Sequence, residues 1–97
     1  MQLSFPLIIF SKQEVAYLEG ESDLNDFLYS LTKEQRNELL LLNKAGRYVD
    51  LYNNDVTPIT STELAKRVTQ QLAQEGSCCL SKVTQLTPEQ AFMMLDN

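Results

Sequence analysis

LLLLNKAGRYVDLY, residues 39–52, is the segment whose secondary structure settles the architecture of this chain. Its four leucines suit a helix or a strand equally well, because so short an apolar run has no diagnostic period. The residues that follow resolve this ambiguity. Gly46 can adopt the left-handed conformation that closes a type I turn with a bulge, and the run after it alternates. The segment therefore predicts a β-hairpin with strands near residues 38–43 and 47–52.

A second pair of short strands precedes this hairpin. Residues 5–10 are rich in bulky and β-branched side chains, and Pro6 lies near their start, where a strand tolerates the loss of an amide donor. Residues 14–18 alternate, with Val15 and Tyr17 on one side of the strand. Three polar residues separate the two runs, so we expect a β-hairpin here as well.

The first helix is predicted between the two hairpins. Ser22 is a suitable N-cap, and the apolar residues that follow recur at i, i+3, i+4 and i+7. They are Leu24, Phe27, Leu28 and Leu31. Residues 32–35 can cap a further short helical turn.

Two more helices are predicted from capping boxes, in which a threonine and a residue three positions later bond to each other's backbone amides. Residues 60–63 open a helix that runs to about Glu75 and stops at Gly76. Residues 87–90 open the last helix, with a proline at the favoured first helical position.

These elements predict an α+β fold. Ser77 to Val83 is a fifth strand candidate, which makes the order ββαββαβα. The step from the fourth strand through the long helix to this fifth strand could be a right-handed parallel crossover. We therefore expect a mixed, mainly antiparallel sheet of about five strands covered on one face by two to three helices. Residues 1–97 are predicted to form a single domain, since no linker or repeat interrupts them.

Composition and charge exclude several classes of partner. Thirteen acidic and eight basic residues give a net charge of −5, whereas nucleic acids and anionic membranes need a concentrated positive patch. The densest basic stretch is the pair Lys66-Arg67, which is typical of a solvated helix face. The N-terminus lacks a signal-peptide pattern, and its longest apolar run, Leu7 to Phe10, is too short to span a bilayer. We predict a protein of the reducing cytoplasm.

Three segments carry a resemblance to a known family. They are FPLII at residues 5–9, NKAGRY at residues 43–48 and GSCCLSK at residues 76–82. Taken in this order, the segments resemble a family of small uncharacterised bacterial proteins known only as a domain of unknown function. The resemblance implies a fold and a length. It implies no activity, because the family has none assigned.

The adjacent pair Cys78-Cys79 is the most unusual chemical feature. One interpretation is a redox-active or metal-holding thiol pair, in which a disulfide between neighbours would be strained and easily reduced. A zinc site would need further ligands, and the chain contains no histidine. The other interpretation is that Cys78 and Cys79 occupy alternate faces of a buried strand and pack as small apolar side chains. These two cysteines are the candidate residues for function.

No residue pattern predicts catalysis. The absence of histidine removes the most common general base, and no spacing forces two carboxylates together. Tyr48 and Tyr52 could share a strand face and form a recognition surface, although core packing is the favoured interpretation. We expect a small, non-enzymatic interaction or accessory module without a cofactor. Its partner is another protein or a second copy, bound through a strand edge or the final helix with Met93 and Met94. The alternative is thiol-based redox sensing or metal holding.

Overall fold

The computed structural model of the chain describes residues 3–12, 14–76 and 82–96. Four strands lie in these ranges: β1 Leu7–Phe10, β2 Val15–Leu18, β3 Leu40–Asn43 and β4 Tyr48–Val49. The helices described are α1 Glu21–Tyr29, α2 Lys33–Asn37, α3 Ser61–Gln74 and α4 Pro88–Leu95. The strands form one sheet in the order β2-β1-β3-β4, and every pairing is antiparallel. The α+β class and the mainly antiparallel sheet are confirmed, whereas the order of described elements is ββααββαα.

The two central strands of the sheet, β1 and β3, contain the most apolar runs of the sequence. β1 pairs with β2 from Leu7 opposite Leu18 to Phe10 opposite Val15. On its other side β1 pairs with β3, from Leu7 opposite Asn43 to Phe10 opposite Leu40. All four residues of β1 are buried. A strand that is buried on both faces has a continuous run of apolar residues in its sequence, as β1 has.

Helices cover both faces of the sheet, which differs from the expectation that they cover one. Ile8 and Leu42 point to the face on which α3 and α4 pack, through side chains that include Leu64 and Phe92. The other face carries its own cluster, which includes Leu7, Ile9, Leu41 and, from α1, Leu24. Side chains alternate between faces along a strand, so one apolar run supplies both clusters.

The second hairpin turns as the sequence predicts. Gly46 has φ of +88°, and its amide donates to the Asn43 carbonyl at 3.0 Å. The Asn43 side-chain oxygen accepts a hydrogen bond of 3.0 Å from the amide of Arg47. The buried amide of Asn43 thereby fixes the turn that joins β3 to β4.

β4 is much shorter than the predicted strand of residues 47–52, because Asp50 starts a turn. Its carboxylate accepts hydrogen bonds from the amides of Tyr52, at 2.8 Å, and Asn54, at 3.0 Å. The chain then returns along the outer edge of β4, where the Val56 amide donates to the Tyr48 carbonyl at 3.0 Å. Tyr48 is buried and Tyr52 is 62% exposed, so the prediction of a shared tyrosine face is wrong.

The helix boundaries follow the predicted signals with two differences. The first helix is capped by Gly20 without a side-chain bond, and Ser22 lies inside it. At the start of α3, the Thr60 hydroxyl accepts from the Glu63 amide at 3.0 Å, but the Glu63 carboxylate pairs with Arg67. Only half of that capping box is therefore made. The second capping box, at α4, is complete.

The predicted fifth strand falls mainly on residues 77–81, which lie outside the described residues. Lys82 and Val83, at its predicted end, are described and are not in a strand. The parallel crossover into this segment stays a prediction.

Candidate functional site

The last helix, α4, is held rigidly at its start. The Thr87 hydroxyl accepts a hydrogen bond of 3.2 Å from the amide of Gln90. In return the Gln90 side chain accepts one of 3.0 Å from the amide of Thr87. Pro88 occupies the first turn, where its missing amide donor costs nothing. These features fix the direction in which α4 leaves the preceding segment.

A ring contact fastens the other end of α4 to the sheet. Phe92 is 3% exposed, and its ring meets that of Tyr17 in β2 edge to face, with centroids 6.1 Å apart and planes at 77°. Burial raises the pKa of Tyr17, and the negative charge of the nearby Asp96 carboxylate raises this pKa further. The Tyr17 hydroxyl therefore lies close to the C-terminal end of α4.

A groove runs between α4 and the segment before it. Residues 82–86 lie beside α4, and the Leu86 amide donates to the Ser61 carbonyl, at the start of α3, at 3.1 Å. The groove has a volume of about 440 Å³. We call it the methionine groove, and it is lined by residues 82–86 together with Gln90, Met93 and Met94.

Met93 forms a ridge beside this groove. Its side chain is 66% exposed, on the side of α4 away from the buried Ala91 and Phe92. Helical spacing puts Gln90 and Met94 on one flank of Met93, toward the methionine groove. On the other flank is a second hollow, of about 350 Å³, lined by Lys44, Glu89, Phe92, Met93 and Asp96. The surface thus carries an exposed apolar side chain between two depressions.

The charges around this surface balance. Lys82 lies at the methionine groove, and Lys44 lies at the second hollow with Glu89 and Asp96. Two basic and two acidic residues surround Met93, while the whole chain carries a net charge of −5. The surface around Met93 is consequently less acidic than the average surface of the protein.

A second groove, between the β1–β2 turn and α3, is polar and has a volume of about 270 Å³. Arg67 contacts both walls: its Nε donates to Glu63 at 3.0 Å, and its Nη1 donates to the Ser11 carbonyl at 3.3 Å. The Gln71 side chain accepts a hydrogen bond of 3.1 Å from the amide of Val15, on β2. These bonds already join the hairpin to the helix, which gives the polar residues a structural role.

The candidate cysteines, Cys78 and Cys79, lie outside the described residues, so their predicted role remains a prediction. Among the residues that the structure describes, no three His, Cys, Asp or Glu side chains are grouped as metal ligands would be. The described helices are also too short or too polar to cross a membrane.

Asp50 and Asp55, two carboxylates of the segment that follows β4, have local partners. Hydrogen bonds from backbone amides lower the pKa of Asp50, and the bond from the Asn54 amide has the largest effect. Asp50 therefore accepts these bonds as an anion within its turn. Asp55 pairs with Arg47, whose Nε donates to it at 3.0 Å. Neither carboxylate lines the methionine groove or the hollow beside it.

Sequence reasoning found only part of this surface. The adjacent methionines near the C-terminus indicated an adaptable apolar contact. The groove itself was missed, because residues 82–83 were assigned to a strand and nothing in the local sequence tells that residues 82–86 lie beside α4. The apolar residues Val83 and Leu86 just before a capping box were the available signal.

Comparison with known proteins adds a family and a fold. A family model, described as a protein structure with unknown function, matches residues 5–95. No curated protein matches the chain. A solved structure that does match is an NMR structure of a protein from Shewanella amazonensis, with a TM-score of 0.56 and 19% sequence identity. The match covers 98% of this chain and 89% of that one, and at this identity the likeness concerns the fold alone.

Proposed function

We infer that this chain, which belongs to the DUF4144 family, is a small non-enzymatic module. It binds another protein at the surface around Met93. The observation that carries the proposal is the 66% exposure of Met93, between two hollows, on a helix whose opposite side is fixed in the core. Contiguous exposed apolar surface, here Met93 together with Val83 and Met94 of the adjoining groove, is typical of protein-binding surfaces.

The character of the groove supports a protein partner. Val83, Leu86 and Met94 supply an apolar lining, and Gln90 and Lys82 supply polar atoms at its side. Methionine is unbranched and polarizable, so it adapts to the shape of an apolar side chain inserted next to it. Open apolar grooves along helices accept side chains of a partner in this way.

The packing of α4 against the sheet supports the same proposal. Ala91 and Phe92 are buried, and the edge-to-face contact with Tyr17 holds the helix on the sheet. Because the backbone of α4 is already folded, a partner that contacts Met93 does not have to order the helix. Preorganisation of this kind reduces the entropic cost of association.

The remaining parts of the proposal rest on the sequence. The net charge of −5 supports a protein partner over a nucleic acid, and the lack of a disulfide framework supports the reducing cytoplasm as the compartment. Residues 1–97 act as one domain in this proposal. The alternative function, thiol-based redox sensing or metal holding, rests on the adjacency of Cys78 and Cys79.

Site-specific photocrosslinking tests the proposal. The photoreactive residue p-benzoylphenylalanine is placed at position 93, and at position 29 as a matched control, because Tyr29 is also helical and is 89% exposed. We expect irradiation of producing cells to give a discrete crosslinked protein from position 93 but not from position 29. The product is identified by mass spectrometry and reproduced with the purified components. Equal crosslinking from both positions, or none from either, would contradict the proposal.

A further inference from the structure

We propose that the partner at this surface is a second copy of the same chain, with Met93 of each copy seated in the methionine groove of the other. This inference rests on the proposed function and specifies its partner. The contact is a symmetric dimer about a two-fold axis, and it uses the surface that the Met93 ridge and the groove share.

Shape is the first argument. A two-fold interface brings the same patch of both molecules together, so that patch must be complementary to itself, for example through a projection beside a matching depression. Met93 is the projection, exposed to 66%, and the adjoining groove of about 440 Å³ is the depression. Helical spacing sets them side by side, because Gln90 and Met94 line the groove on one flank of Met93.

Charge is the second argument. Two copies that each carry a net charge of −5 repel one another over most of their surfaces. The surroundings of Met93 are an exception, with Lys44 and Lys82 against Glu89 and Asp96. Like-charged copies therefore meet with less repulsion when these surfaces face each other than when acidic surfaces do.

The arrangement of these charges is also complementary. Glu89 and Asp96 lie on the flank of Met93 that faces away from the methionine groove, whereas Lys82 lies at the groove itself. When Met93 of one copy enters the groove of the other, its neighbour Glu89 is carried toward Lys82 of that other copy. The two-fold axis repeats this approach, so the dimer contains two such opposite-charge pairs.

Sedimentation equilibrium over a concentration series tests the inference with the full chain. We expect the wild-type mass to rise from 11.1 kDa toward twice that value as concentration increases. Met93→Lys should weaken dimerisation at least about tenfold, since central apolar residues dominate interfaces. A lysine at position 93 follows Glu89 by four residues on the helix, a favourable spacing, so the variant should fold. Tyr29→Lys makes the same charge change elsewhere and should dimerise like the wild type.

A charge exchange supplies the second test. Lys82→Glu and Glu89→Lys should each weaken the dimer, and the double variant should recover most of the lost affinity, because the pair is restored with its signs reversed. Circular dichroism confirms that each variant is folded. A wild type that stays monomeric at every concentration, or a Met93→Lys variant that dimerises normally, would overturn the inference.

The two proposals fail differently. A monomeric wild type that crosslinks a different protein from position 93 overturns the second copy as partner and keeps the interaction function. Failure of position 93 to crosslink any protein, its own chain included, overturns both.

Discussion

The edge-to-face pair of Tyr17 and Phe92 is expected to couple α4 to the sheet by about 0.5–1.5 kcal/mol, the range measured for aromatic pairs. A double-mutant cycle with Tyr17→Leu and Phe92→Leu measures this coupling. Truncating a buried Phe to Ala costs about 3–5 kcal/mol, and leucine keeps most of the apolar volume. Since Phe92 is only 3% exposed, we expect Phe92→Leu to cost about 1–2 kcal/mol, a size usual for single substitutions. Tyr17→Leu also loses the hydroxyl that lies near Asp96 and should cost a similar amount.

Urea unfolding followed by far-UV circular dichroism gives the four free energies of unfolding that the cycle needs. The double variant should be destabilised by less than the sum of the single variants, because the second substitution has no ring contact left to break. Tyr17→Phe retains the ring and serves to separate the contribution of the hydroxyl. A parallel cycle of Phe92→Leu with Tyr29→Leu, at an exposed and distant position, should be additive. A coupling below about 0.3 kcal/mol between positions 17 and 92 would refute the reasoning, because effects at independent sites add to within about that margin.

Three further predictions follow from single features of the chain. Thr60→Ala should lower the free energy of unfolding by about 1 kcal/mol, because the bond from the Glu63 amide to the Thr60 hydroxyl is lost. The control Thr62→Ala, at an exposed neighbouring position, should change this free energy little. Equal effects of the two substitutions would contradict a capping role for Thr60. Asp50 has a folded-state pKa below its unfolded value of 3.8, so it contributes stability above that pH that is lost as the pH falls through the folded pKa. Asp50→Asn should therefore be less stable than the wild type at neutral pH and should lose less stability on acidification; parallel pH profiles would contradict this. Under the thiol hypothesis, at least one of Cys78 and Cys79 should be alkylated rapidly in the native protein, and labelling only after denaturation would rule that hypothesis out.

Local signals in the sequence predicted the hairpins and the helix ends. Gly46 closes the predicted turn, Gly76 follows the end of α3, and Thr87 opens α4. Each of these features depends on residues within four positions of one another, whose chemistry the sequence displays directly. The short helix opened by Thr32 was found on the same grounds.

Errors arose where a side chain was compatible with two different local structures. Glu63 can close a capping box or pair with Arg67 one turn later, and it pairs with Arg67 at 3.0 Å. Asp50 could continue an alternating strand, yet its carboxylate accepts amides of the next turn and ends β4. The covering of both sheet faces was missed although the unbroken apolar run of β1 was visible, because such a run is also compatible with other buried elements.

The methionine groove could not be predicted for a different reason. Its two walls are close in sequence, but their approach depends on the bond from Leu86 to Ser61 and on the docking of Phe92 against Tyr17. Both are tertiary contacts between segments whose relative placement no local pattern specifies. Composition identified the methionines as adaptable side chains, and only the fold tells which of them is exposed.

The turn at Asp50 has a consequence for colloidal stability. A sheet edge with unpaired amides and carbonyls is a template on which foreign strands can add, as in amyloid growth. The chain that returns from this turn occupies the outer side of β4, with the Val56 amide on the Tyr48 carbonyl and the Asp50 amide on the Asn54 carbonyl, both at 3.0 Å. Asp50, which interrupts the predicted strand, thus directs the chain to cover the edge of the sheet. Addition of further strands at β4 is therefore opposed in the native state by the chain's own return segment.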